Sequence, residues 1–238
     1  MNIFIEGQPV GLFYGYITDG LIQEGDPDDV RIPLTSGGTL PSPGEIKYRD
    51  LNGNGYLDDG DKTIIGNPNP DFTYGLSTSF SWKGLTLSAS VDGSYGNELT
   101  NANLIQETKV TISNTSYSNI RREAYLEAWT PEKPGNYWPR LKGVSQEELK
   151  LMTDRWVEDG SYMRLSNVAL SYRLPLPKNK VVRDITVGVS GRNLYVYTKY
   201  SGWDPEVSSY GNSMQRMGVD LGSYPTARTY CFDLKFTF

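Results

Sequence analysis

The feature that most constrains this chain is strict two-residue alternation, sustained over stretches longer than ordinary strands. From Phe72 to Trp82 the even positions read Phe72, Tyr74, Leu76, Thr78, Phe80 and Trp82, against Thr73, Gly75, Ser77, Ser79 and Ser81. After Lys83 and Gly84 the pattern resumes, with Leu85, Leu87, Ala89 and Val91 opposite Thr86, Ser88, Ser90 and Asp92. The two-residue join is short enough for a hairpin. Val168, Leu170, Tyr172 and Leu174 define an outer face on a third strand, from about Tyr162, with Asn167, Ser171 and Arg173 inward. Pro175 and Pro177 end that strand, because proline cannot donate to a ladder. In a fourth, Ile185, Val187 and Val189 alternate with Thr186, Gly188, Ser190 and Arg192. Its phase slips near Asn193, which predicts a bulge. The last strand alternates Tyr230, Phe232, Leu234, Phe236 and Phe238 with Cys231, Asp233, Lys235 and Thr237. A less regular strand is expected between Gly11 and Ile22, which makes about six.

Strands of about 10–13 residues exceed the ~5–6 of globular sheets and match the ~9–11 needed to cross a bilayer at a tilt. The apolar faces of the best four carry no charge. Hydrophobic residues, glycine not counted, make up 37% of the 238 residues, which is low beside the roughly 45–50% that soluble domains reach with glycine counted. A membrane barrel tolerates this, because only alternate residues face lipid. The expected fold is therefore all-β: part of an antiparallel transmembrane β-barrel, with long loops and short loop helices. Residues 1–238 are treated as one such barrel portion. Short joins at Lys83-Gly84 and Pro175–Asp184 alternate with long segments over 23–71, 96–161 and 199–227. Bacterial barrels have short periplasmic turns and long extracellular loops. Six strands would put both chain ends on the periplasmic side.

Several function classes drop out. The net charge of −5, with no basic block, argues against nucleic acid as a partner. With no histidine, Ser–His and Cys–His nucleophiles and histidine-bound zinc are excluded. Cys231 is the single cysteine, so no intrachain disulfide forms. Carboxylate pairs such as Asp58 with Asp59, or Glu123 with Glu127, would have to serve as acid and base in a glycosidase. The first suits a cation and the second falls on a predicted helix, so no catalytic residue is assigned. Residues 1–10 have neither the charged nor the apolar region of a secretory signal, so an upstream segment is expected.

Residues 50–61 fit the calcium-loop template D-x-[DN]-x-[DN]-G-x5-E, with Asp61 in place of the final Glu. Asp50, Asn52 and Asn54 would aim alternate oxygens inward, Tyr56 would offer its carbonyl, and Asp58 and Asp61 would close the cage. The bland alternative is a polar turn. Ile120, Ala124, Tyr125, Ala128 and Trp129 recur at helical spacing before Pro131 and predict a short helix. Ser145 with Glu148 reads as a capping box opening another. Trp138, Trp203 and Tyr210 fall in the long loops as candidate stacking surfaces for a substrate. Arg164, Arg173, Arg192 and Lys235 are expected to face a lumen and to pair there, Asp233 among their partners.

Longer segments carry a resemblance. They include Phe13-Tyr14-Gly15-Tyr16, Gly44–Asp50, Ile65–Phe72, Gly93–Asn97, Val157–Leu165, Gly191–Leu194, Tyr200–Glu206 and Tyr224–Arg228. In this order the chain resembles the late barrel of SusC/RagA transporters, a branch of the TonB-dependent receptors. The resemblance implies import of glycans or peptides across a Bacteroidetes-type outer membrane. It also implies a SusD-like surface lipoprotein as cap, and TonB as energy source acting through regions outside this chain, so that the chain alone does not transport. Tyr230, Phe232, Leu234, Phe236 and the terminal Phe238 resemble the signal read by the barrel-assembly machinery. The rival is a soluble calcium-binding β-sandwich that recognises glycans, which would bury the aromatic faces between two sheets.

Overall fold

The computed structural model describes residues 2–108, 112–113, 116–117, 119–141, 151–176, 181–206, 209 and 216–238. Strands β1 (Asn2–Ile3), β2 (Leu12–Tyr16), β3 (Thr18–Leu21), β4 (Ile46–Tyr48) and β5 (Lys62–Gly66) come first. The long β6 (Phe72–Trp82) and β7 (Leu85–Tyr95) follow, then β8 (Glu98–Asn101) and helix α1 (Ala102–Thr108). Next are β9 (Ile112–Ser113), β10 (Ser116–Tyr117), helix α2 (Arg122–Leu126) and β11 (Val157–Asp159). β12 (Tyr162–Leu174), β13 (Asp184–Thr198), β14 (Val219–Asp220) and β15 (Thr229–Thr237) complete the order. No helix among the described residues is long and apolar enough to cross a membrane. The chain divides into a sheet unit (Pro70–Asn97, Asp159–Glu206, Tyr224–Phe238) and a loop unit (Met1–Asn69, Glu98–Glu158, Val207–Ser223).

The sheet unit is one antiparallel sheet in the order β15-β13-β12-β7-β6. The β6–β7 hairpin closes through Lys83 and Gly84, both at positive φ (46° and 87°). Primed two-residue turns require that geometry, and it follows the right-handed strand twist. Five strands form this sheet, where about six were expected. The segment from Gly11 to Ile22 instead supplies β2 and β3 to the loop unit, pairing with β1, β5 and β4. Its repeated glycines and early turn leave each piece too short to join a long ladder. With an odd number of strands, the start of β6 and the end of β15 lie at opposite edges of the sheet. The start of β6 is on the long-connection edge and the end of β15 on the short-turn edge.

The loop unit has conventional cores. Tyr16, Leu21, Ile32, Ile46, Tyr48, Leu57 and Trp129 form one cluster; Phe13, Ala102 and Val219 form another. Trp129 packs against Gly44, where φ is +84° and a Cβ would strike the indole ring. The indole Nε1 donates to Gln23 Oε1 at 3.0 Å. Helix α2 is shorter than its apolar stripe predicted: Ala128 and Trp129 lie beyond its end, and Tyr125 points to solvent. The predicted helix at Ser145 and Glu148 lies outside the described residues.

Candidate functional site

Register converts the sequence alternation into two chemically different faces. Three rows of one face read Trp82–Leu85–Tyr172–Val187–Leu234, Phe80–Leu87–Leu170–Val189–Phe232 and Thr78–Ala89–Val168–Gly191–Tyr230. Above them lie Leu76–Val91–Leu165–Tyr195, Tyr74–Gly93–Met163–Tyr197 and Phe72–Tyr95. No charged side chain occurs in these rows. Among the described residues no second sheet covers this face: Leu76 is 70% exposed, Phe80 66% and Phe232 68%. This excludes the sandwich, which needs the same residues buried. Eleven residues at about 3.3 Å each, tilted by about 45°, cover roughly 25 Å, the height of a barrel's apolar band.

The opposite face is small and polar. Ser77 and Ser90 hydroxyls meet at 3.0 Å, and Ser81 and Thr86 at 2.9 Å. Two adjacent irregularities keep the faces consistent. Ser166 is an extra residue of β12 against β7, and Asn193-Leu194 oppose that single residue on β13. Asn193 sits at φ 53°, and its side-chain amide donates to the Ala227 carbonyl at 3.1 Å. The Ser166 hydroxyl donates to the Ser90 carbonyl at 3.0 Å. Because of the extra residue, the apolar positions of β12 switch from even (Val168) to odd (Leu165) without leaving the face, while β13, with two extra residues there relative to β7, keeps the odd positions from Gly191 to Tyr195. The bulge expected at Asn193 is present, although the phase of β13 does not slip there. The one at Ser166 was not expected, although the three-residue step between Leu165 and Val168 was its trace.

On the polar face the arginines behave differently from one another. Arg164, 3% exposed at its side chain, donates to Asp204 Oδ1 at 2.7 Å and lies 3.2 Å from Glu206 Oε2. Asp204 also accepts the backbone N–H groups of Glu206 and Thr226, both at 3.0 Å. Burial pushes the Asp204 carboxyl up, but the Glu206 and Thr226 donors and the Arg164 guanidinium outweigh it and hold it below its usual range. Arg173 is bound by both oxygens of Asp184 at 2.6 Å. Arg192, Lys235 and Asp233 form no ion pair among the described residues. The Arg164–Asp204 knot escaped the sequence reading, since nothing in spacing links positions forty residues apart.

The Asp50–Asp61 loop joins β4 to β5 and is closed by its own side chains. Asp50 accepts the N–H of Gly53 (2.6 Å) and Gly55 (2.7 Å). The Gly55 bond, opposed by burial and helped by the Gly53 bond, holds its carboxyl below the usual range. Asn52 and Asn54 amides donate to the two oxygens of Asp58, at 3.0 and 2.8 Å. Asn54 Oδ1 accepts the Tyr56 N–H at 3.1 Å. Asp61, fully buried, accepts the N–H of Leu51 and Asp58, both at 2.8 Å. Leu57 anchors the loop in the core of its unit. The carboxylates of Asp50, Asp58 and Asp61 thus serve N–H donors of the loop itself. Among the described residues no three acidic, cysteine or histidine side chains gather as a metal cage.

Of the aromatic candidates, Trp138 is half-buried edge-on to Tyr137, with ring centroids 4.8 Å apart. Trp203 is 78% exposed, and Tyr210 lies outside the described residues. Tyr230, Phe232, Leu234, Phe236 and Phe238 are all exposed, on the apolar side of β15. That strand is a sheet edge, paired with β13 alone.

A single-layer antiparallel sheet with long strands, a charge-free exposed apolar face and a polar reverse is a piece of transmembrane β-barrel wall. No family model matches the chain. TonB-dependent receptor P3 of Formosa agariphila is 34% identical over 244 residues, matching 100% of this chain and 23% of that protein. TonB-dependent receptor SusC of Bacteroides thetaiotaomicron is 30% identical over 206 residues, matching 82% of this chain and 18% of SusC. In fold, the structure of the RagAB peptide transporter superposes with a TM-score of 0.71 at 22% identity, covering 96% of this chain and 23% of that one. This chain belongs to the TonB-dependent receptors of the SusC/RagA type, which are outer-membrane proteins, and spans about a quarter of the relatives it matches.

Proposed function

We propose that the chain is the C-terminal sector of the barrel wall, with part of the loop cluster, of an outer-membrane importer of glycans or peptides driven through TonB. The observation that carries this reading is the apolar face of the sheet, free of charge and open along the full length of strands long enough to span hydrocarbon. The names of the relatives support the transport class. Gating and energy coupling fall to parts of the receptor beyond this quarter, so the chain by itself does not transport. The long-connection edge is assigned to the cell exterior, with a SusD-like lipoprotein as partner there, and Phe238 to the periplasm. Tyr230 to Phe238 are assigned as the signal for the barrel-assembly machinery, and Trp138, Trp203 and Tyr210 as candidate substrate contacts.

Calcium is proposed for the Asp50–Asp61 loop on the strength of its donor spacing. The ion would have to displace the Asn52 and Asn54 amides from Asp58. Chelator should then speed proteolysis near Asp58, and an unchanged cleavage rate counts against the ion.

The wall reading is tested by single cysteines in a Cys231→Ser background of the full-length receptor. In isolated outer membranes a charged maleimide should label Ser77→Cys and spare Leu76→Cys. Equal labelling of the two would overturn the reading.

A further inference from the structure

We infer that the short-turn edge of the sheet is a docking rim for anionic phospholipid headgroups, held by Lys83 and Arg183 on its lipid-facing side. The inference rests on the wall reading and goes beyond it by naming a lipid class.

The two rims of the apolar face differ in kind. Toward the long connections it ends in the uncharged Phe72, Tyr74, Tyr95, Tyr195 and Tyr197; beyond them Lys199, exposed and in the same phase of β13, has the Asp159 carboxylate as a neighbouring charge. Toward the short turns it ends in Trp82 and Phe238, and there, among the described residues, Lys83 and Arg183 stand beside the hydrocarbon band. Lys83 is exposed in the β6–β7 turn, its Nζ 5.0 Å from the centroid of the Trp82 ring. Trp82 is itself exposed on the apolar face. Arg183 is exposed two residues before Ile185 and so continues the lipid-facing phase of β13. Its N–H donates to the Thr237 carbonyl at 2.7 Å, which fixes that position at the sheet edge.

The other cations of this edge among the described residues are accounted for differently. Arg173 is neutralised by Asp184, and Lys235 shares the polar face with its register partner Thr186. Among the described residues neither Lys83 nor Arg183 meets a carboxylate. Cations without counter-ions at the polar margin of an apolar band, one of them stacked on an interfacial indole, suit a phosphate that arrives attached to acyl chains. Charge complementarity and continuity with the lipid-facing surface therefore select an anionic phospholipid rather than a zwitterionic one.

The test is native mass spectrometry of the full-length receptor in detergent, offered equal phosphatidylglycerol and phosphatidylcholine. Retained lipid should favour phosphatidylglycerol by roughly fivefold per cation. Lys83→Gln with Arg183→Gln should abolish the preference, Lys83→Arg with Arg183→Lys should keep it, and Lys235→Gln should leave it intact. Equal retention of both lipids by the wild type overturns the inference. So does a preference that survives the double glutamine variant, which leaves the two cations to a protein surface. A receptor that needs no detergent would instead sink the wall reading itself, and the two failures are thereby distinguished.

Discussion

In the loop unit Phe13, Ile22 and Val219 have no exposed surface, whereas in the sheet unit Leu76 and Phe232 keep 70% and 68% of theirs. Both sets belong to one chain and were selected from the same apolar alphabet. Removing such a side chain from water is worth about 1.5–3 kcal/mol, so a water-soluble sheet would not leave whole rows of them open. The difference teaches that the two units have different solvents. The loop unit satisfies its apolar groups with one another, and the sheet unit leaves them to hydrocarbon.

That comparison can be broken by mutation, and the largest effects are expected where burial is complete. Phe13→Ala should destabilise the loop unit by about 3–5 kcal/mol, seen as rapid proteolysis of loops while the barrel resists. Loss of both together would contradict the separation into units. Arg164→Ala should cost a similar 3–5 kcal/mol by leaving Asp204 buried and unpaired. Hydrogen exchange should then rise over residues 200–206 and little elsewhere.

Leu76→Arg tests the other half of the comparison. At an exposed position of a soluble protein it would be nearly neutral. At mid-band in lipid it should cost about 2–4 kcal/mol and lower the yield of assembled receptor, with Ser77→Arg as the tolerated control. A smaller effect is expected at the bulge. Asn193→Gly should be close to neutral, and Asn193→Val should cost about 1–2 kcal/mol, because a β-branched residue resists positive φ. Unfolding in lipid vesicles would measure both.

The smallest effect is set by pH. The Asp204 carboxyl is depressed in the folded chain, so its contribution is fully present above the unfolded value of about 3.9 and lost as pH falls below it. Residues 200–206 should become exchange-labile only in that acid range, and no change there would argue against the Arg164–Asp204 pairing.

The sheet was legible because alternation is a local property. Phe72 to Trp82 and Tyr230 to Phe238 each announced their faces within a dozen residues, and the bulge expected at Asn193 is there. The segment Gly11–Ile22 misled because short apolar alternation looks alike in a barrel strand and in a small loop sheet. Only pairing distinguishes them, and β2 pairs with β5 across a connection that holds the acidic loop. At that loop the sequence singled out Asp50, Asn52, Asn54, Tyr56, Asp58 and Asp61, but it could not say which donors their oxygens would accept.

The amino-acid order by itself determined the strand faces, the hairpin at Lys83-Gly84 and the family, because each is written in neighbouring residues. Tertiary structure decided that five strands share the sheet, that Ser166 is an extra residue of β12, and that Arg164 is tied to Asp204. Those outcomes depend on contacts between distant segments, whose energies no local pattern encodes.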